Sequence, residues 1–155
     1  MSHVTDVKLK IKDLEALEEA AAACGLDLRL GQTTHAWYGK FMNDSEEGRR
    51  VVKERGQQAL GKCEHALRLK NHQQGDYEIG VVKSLDGDGY DLLLDEWGPG
   101  RKLVNAVGPS ANKLRQEYAV AQATRKAKAT LGKKGFTVAR EDLLNGSVRL
   151  KLRRR

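Results

Sequence analysis

The stretch from Tyr77 to Trp97 constrains the fold most, because it spells out two strands and the tight reversal between them. Tyr77, Ile79 and Val81 alternate at the two-residue period of a strand. Asp86-Gly87-Asp88-Gly89 then supplies the residue types that accept positive φ, and Tyr90-Asp91-Leu92-Leu93-Leu94-Asp95-Glu96-Trp97 runs back. A chain organised around such a hairpin builds a mainly antiparallel sheet.

Other segments carry comparable signals. Val7, Leu9 and Ile11 alternate with polar residues, so the stretch Val4–Lys12 reads as a half-buried strand with its lysines outward. Asp13 has the chemistry of an N-cap, with Glu15 near the positive end of the dipole. Leu14, Leu17, Ala21 and Cys24 fall on one helical stripe that Gly25 closes. Ala16 stands where a capping box has Glu or Gln, so the start signal is partial. Leu26, Leu28 and Leu30 form a short second strand, and Ala66-Leu67-Arg68-Leu69 resumes the alternation before a polar turn at 71–76.

Between these, residues 31–62 are expected to be an insertion or flexible segment. Thr33–Phe41 reads as an edge strand, and the stretch from Asn43 to Arg55 is charged and poorly periodic. Gly98-Pro99-Gly100 breaks the chain. A second helix is expected from about Ala111 to Leu131, with Leu114, Tyr118 and Ala121 at helical spacings, bracketed at its end by Gly132 and Gly135. Phe136–Arg140 and Ser147–Leu152 flank Asn145-Gly146, a favoured hairpin dipeptide, and Arg153-Arg154-Arg155 is expected to be a basic tail with nothing to pack against.

These elements predict an α+β fold, a mainly antiparallel sheet with two helices on one face, and the order helix, glycine, strand, turn, strand suggests two pseudo-repeated halves. The 155 residues fit a single domain, 1–155. With 8 aromatic residues of the Phe, Trp and Tyr types, the core must rest on Leu, Val and Ala.

Three stretches together resemble a known family: SHVTDVKLKIKDLEAL from Ser2 to Leu17, DYEIGVVKSLDGDGYDLLLDEWG, and LRQEYAVAQATRKAKATLGKKGFTVAREDLLNGSVRLKLRRR. They are similar to a small family of unknown function encoded in red-algal plastids, cyanobacteria, other bacteria and some phages. Genes of that family often lie near those of AAA-type ATPases, so the resemblance implies an accessory or adaptor role. The family commonly carries two adjacent tryptophans where Asp95-Glu96-Trp97 has one, and an aromatic at the position of Arg155. The segment 31–74 matches little.

No catalytic signature is present. Cys63-Glu64-His65 with His72 offers three soft or borderline ligands, where structural zinc takes four in paired short spacings. Asp86–Asp91 resembles the start of a calcium loop, but lacks the glycine at loop position six and has Trp97 where the closing Glu belongs. Cys24 sits on an apolar stripe, where a thiol is packing. Asp95 and Glu96 are adjacent and point to opposite faces of a strand, which separates them as an acid/base pair. The glycines spell no phosphate cradle. The expectation is therefore no enzyme, no cofactor and no metal. Two cysteines make no disulfide framework, and no leader or membrane-spanning run is visible, so a cytoplasmic protein is expected, or one of the plastid stroma or of a viral host's cytoplasm.

Charge is the strongest clue to a partner without identifying it, and a solvated basic face stands as the plain alternative to a binding surface. From Ala111 to Arg155 there are 13 Lys and Arg against 3 Asp and Glu, a net of +10, while the preceding 110 residues are net −3. The candidate contact residues are Lys113, Arg125, Lys126, Lys128, Lys133, Lys134, Arg149, Lys151, Arg153, Arg154 and Arg155, with Trp97 as a stacking or docking residue or a core residue at a strand end. Several of these lysines also complement the negative end of the second helix's dipole. The expected function is a non-enzymatic adaptor whose basic face docks onto an acidic protein surface of a larger assembly, an AAA-type ATPase by the resemblance. The alternative is a small RNA- or DNA-binding protein using the same cations.

Overall fold

The structure is a computed structural model, which describes residues 3–40 and 45–155. Met1 and Ser2, and residues 41–44 with Phe41 and Asn43 at the ends of two expected segments, lie outside the described residues.

Seven strands are described: β1 (Val4–Ile11), β2 (Leu26–Leu30), β3 (His65–Leu69), β4 (Ile79–Lys83), β5 (Tyr90–Asp95), β6 (Phe136–Asp142) and β7 (Val148–Arg154). Four α-helices accompany them: α1 (Leu14–Ala23), α2 (Glu46–Arg55), α3 (Arg101–Val107) and α4 (Asn112–Leu131). The fold is α+β. A five-stranded sheet has the order β1-β5-β4-β3-β2 with every neighbour antiparallel, and β6-β7 forms a separate two-stranded sheet. The two expected repeats of helix, glycine, strand, turn and strand therefore differ, since β2 and β3 are separated by residues 31–64, which include α2, while a short turn joins β6 to β7. The β2 and β3 pair is built into the large sheet, whereas β6 and β7 stand on α4.

α1 starts where the sequence placed it. The Asp13 carboxylate accepts from the Ala16 amide at 3.0 Å, and Gly25 follows the helix at φ +77°. Leu17, Ala20 and Ala21 are buried against the sheet and α4. The Ala16 amide, then the Arg125 guanidinium, hold the Asp13 carboxyl below its usual value. A folded-state value lower than the unfolded one stabilises the native state above the unfolded value, about 3.9, and that contribution disappears as pH falls through the lowered folded value. Asp13→Ala is expected to cost about 0.5–2 kcal/mol at pH 7. In urea titrations at a series of pH values the gap to the parent protein should close on acidification through that window; a gap independent of pH would remove the charge from the explanation.

One face of the large sheet carries Val7, Ile11, Leu67, Ile79, Val81, Leu92 and Leu94, packed under α1, α3 and α4. Tyr118 of α4 is buried there, and its hydroxyl accepts from the amides of Lys12 and Asp13 at 3.1 and 3.3 Å. The other face carries Val4, Val82 and Leu93 against Val51 and Leu60, with Val52 and Trp37 beside them. The Leu92-Leu93-Leu94 run is thus apolar on both sides because both sides are covered.

The cover on that second face is α2, formed by the described part of the stretch that reads as charged and poorly periodic. Its N-cap Ser45 accepts from the Gly48 amide at 2.9 Å, Glu46 and Glu47 occupy the first turn, and Lys53 and Arg55 the last, so the dipole is complemented at both ends. Only Gly48 and Val51 on this helix are buried, which leaves too little apolar periodicity to announce it. The expected edge strand at 33–41 is corrected. Its described part makes a single bridge, Thr34 to Lys62, and the chain is held instead by backbone bonds from His35 to Gly61, Cys63 to Thr33 and Glu78 to Ala36. No helix among the described residues is long and apolar enough to cross a membrane.

Candidate functional site

The basic residues of the last third do not form one face. α4 runs from the sheet toward Gly132, and β6 returns antiparallel along it, with the Arg140 guanidinium gripping Glu117 at 2.7 and 2.9 Å. β7 then comes back toward the helix end, and its register pairs Phe136 with Arg154 and Thr137 with Arg153. Strand pairing therefore carries the chain's last residues to the exit of α4.

There Arg155 is docked. Its amide donates to the Gly135 carbonyl at 2.7 Å and its guanidinium to the Gly132 carbonyl. Arg154 lies 5.9 Å from the centroid of the Phe136 ring. The expected loose tail is therefore the end of a strand plus one capping residue, since helix-terminal carbonyls left without partners attract a guanidinium. Lys133 and Lys134 project from the turn between α4 and β6, and Lys128 sits one helical turn earlier. These two lysines, Lys128, Arg153, Arg154 and Arg155 make a basic end in which no member is ion-paired among the described residues.

The other candidates go elsewhere. Arg125 reaches across to α1, bonding Asp13 and Glu19 at 3.1 Å each and Glu15 as well. It clamps two helices together. Arg149 and Lys151 share Glu141, at 3.7 and 2.9 Å. Lys126 is exposed, about 200° around the helix from Lys128. Lys113 is exposed at the first turn of α4, about 22 Å from Lys128 at 1.5 Å per residue.

Trp97 is half-exposed at the end of β5 rather than in the core. The His3 ring stacks on it at 5.1 Å and 24°, and the Arg101 guanidinium lies 5.3 Å from its centroid. A groove of about 730 Å³ opens beside it, with Thr5, Glu47, Glu96 and Asn105 on its walls. His3 and Arg101 carried no signal in the sequence, because their only distinction is proximity to this ring. Behind Trp97, the buried Asp95 carboxylate accepts from the amides of His3, Trp97 and Tyr38 at 3.0, 3.1 and 3.3 Å. Burial pushes that carboxyl up, against the pull of these three donors. Glu96 is engaged separately, by the Ser110 amide.

The sulfur and imidazole groups are placed apart. Cys63 Sγ lies 3.2 Å from the Gln32 carbonyl and is pushed up to about 11 by burial, which makes it a poor nucleophile. His65 Nδ1 accepts from the Gly31 amide at 2.9 Å. Among the described residues no three His, Cys, Asp or Glu side chains gather as a metal site. In the Asp86–Asp91 turn the acids face lysines, Asp86 toward Lys10 and Asp88 toward Lys12 at 3.0 Å, and Asp91 is buried.

Comparison with protein-family models, with curated proteins and with solved structures finds no match.

Proposed function

We propose that this chain is a non-enzymatic interaction module that docks its basic end onto an acidic surface of a larger protein assembly. The observation that carries the reading is the convergence of Lys128, Lys133, Lys134 and Arg153–Arg155 through the β6–β7 register and the Arg155 cap. Cations gathered without counter-charges raise the local potential and steer an acidic partner. An AAA-type ATPase is the partner that the family resemblance brings forward. The position of the cluster, at the far end of α4 from its first turn at Lys113, leaves the two-faced core of the domain outside the contact.

A second reading has its own support. Arg149, Lys151 and Arg153 alternate on one face of a two-stranded antiparallel ribbon, a shape that the DNA major groove admits.

The test is affinity of the full chain and of the triple variant Lys133→Glu, Lys134→Glu, Arg153→Glu for the purified ATPase and for duplex DNA or RNA, across salt. The variant should bind the ATPase about 100-fold more weakly, because each exposed pair contributes about 0.5 kcal/mol and reversal adds repulsion of similar size, about 3 kcal/mol over the three sites. A parent protein that ignores the ATPase but binds nucleic acid, losing about 10³-fold between 50 and 200 mM salt, would replace the first reading with the second. Unchanged binding by the variant would retire both.

A further inference from the structure

We infer that the outer edge of β7 accepts an extended segment of the partner as a third strand, one in which acidic residues alternate with apolar ones. The inference rests on the preceding reading, that the partner is an acidic protein, and adds how it is held.

The backbone phase of β7 follows from two bonds. The Leu143 amide donates to the Ser147 carbonyl and the Arg155 amide to the Gly135 carbonyl. In an antiparallel pair these hydrogen-bonded positions recur every second residue, so Arg149, Lys151 and Arg153 direct their amides and carbonyls at β6. Val148, Leu150, Leu152 and Arg154 therefore direct theirs away from it. Among the described residues no strand lies beyond β7. The hairpin is secured by α4, on which it stands, and its outer edge is open over seven residues.

The side chains then choose the occupant. One face of the hairpin carries Arg149, Lys151 and Arg153 with Thr137, Ala139 and Glu141, so three cations share a single acid. The opposite face, turned toward α4 where Arg140 bonds Glu117, carries Val148, Leu150, Leu152 and Arg154 with Phe136, Val138, Arg140 and Asp142, and Leu152 is 49% exposed. A guest strand directly opposite β7 places alternate residues on these two faces. Acidic residues meet the cations and apolar residues meet Leu150 and Leu152. A second copy of this chain is a poor guest, because pairing β7 with itself sets Arg149 against Arg153 and Lys151 against Lys151. The cations thus guard the edge against self-association and leave it open to an acidic strand.

The probe is a capped heptapeptide of alternating valine and aspartate, with poly-L-glutamate as a charged control that has no apolar face. Affinity and amide hydrogen exchange of the full chain are measured with each. Exchange at Val148, Leu150, Leu152 and Arg154 should slow at least about 10-fold with the heptapeptide and stay unchanged with the control. Leu152→Pro removes an outward amide and leaves every β6–β7 bond in place, so it should weaken heptapeptide binding at least about 10-fold. A second variant, with Arg149, Lys151 and Arg153 all changed to Glu, should refuse this peptide and bind its valine–lysine counterpart.

Binding with these four amides unprotected, equal binding by Leu152→Pro, or a dimer already protecting the same amides would overturn strand addition. If poly-L-glutamate binds and the heptapeptide leaves the edge unprotected, the basic-end reading survives and strand addition falls. If neither binds, both fall.

Discussion

Arg55→Ala should lower stability by about 3–5 kcal/mol, the range for breaking a buried ion pair from one side. The Arg55 side chain is 7% exposed, and those of Asp6 and Asp91 are 3% and 4%. Nε donates to Asp6 at 2.7 Å, and the two terminal nitrogens to Asp91 at 3.1 Å and the Lys83 carbonyl at 2.9 Å. Asp91 keeps the Ser84 hydroxyl and the Lys10 amide if the arginine goes. Asp6 is worse placed, since its other carboxylate oxygen is buried without a partner. Alanine at 55 therefore strands a carboxylate under α2.

Val51 alone contributes about 1.5–3 kcal/mol by burial, so the ion cluster decides whether α2 stays on the sheet. Urea unfolding at neutral pH measures the loss. Replacing Asp6 with Asn along with Arg55→Ala should recover part of it, because the uncompensated charge is gone. A loss below about 1 kcal/mol for Arg55→Ala alone would mean that water reaches the cluster.

Gly100→Ala should cost about 3 kcal/mol, the upper part of the usual range for overpacking. Its backbone is ordinary helical, φ −64° and ψ −16°, so conformation is not the obstacle. Space is: a Cβ there would lie 1.8 Å from the Asp95 carbonyl oxygen, a backbone atom that cannot rotate aside. Relief requires α3 to move off β5, which pulls at Trp97 and at the Asp95 carboxylate that holds His3, Tyr38 and Trp97.

Gly98 is the control. It has φ +58°, and a Cβ at this position would meet nothing within 4 Å, so alanine there faces only left-handed strain of about 1–2 kcal/mol. In thermal unfolding, where about 1 kcal/mol shifts Tm by 2–4 °C for a chain of this size, Gly100→Ala should fall roughly 6–12 °C and Gly98→Ala clearly less. Equal shifts would contradict the packing argument.

The contrast between these glycines shows what could be read from the residues. Gly-Pro-Gly announces a break, and the break is there, but which glycine is held by space and which by φ depends on β5 passing beneath. In the same way α1, α4 and the strands β1 to β4 were legible because each carries its own apolar period, and β5, β6 and β7 because they flank the turns at Asp86–Gly89 and Asn145-Gly146. α2 was not, because a helix that buries one valine and one glycine differs little from a charged loop until there is a sheet to lie on.

The candidate site divides along the same line. Residue type identifies every cation of the last 45 residues, and Asn145-Gly146 identifies the hairpin that returns the chain end to Gly132. Which cations stay free is a matter of partners distant in sequence. Arg125 is engaged by Asp13, 112 residues away, while Arg153 in the same basic region meets no acid among the described residues. By itself, then, the amino-acid order determined the strands, α1 and α4, the α+β class and a basic end, since these follow from period, turn chemistry and net charge over short stretches. The tertiary structure decided which face of the sheet α2 covers, which cations are neutralised, and that no strand among the described residues pairs with the edge of β7, because each depends on the relative placement of segments that no local interaction sets.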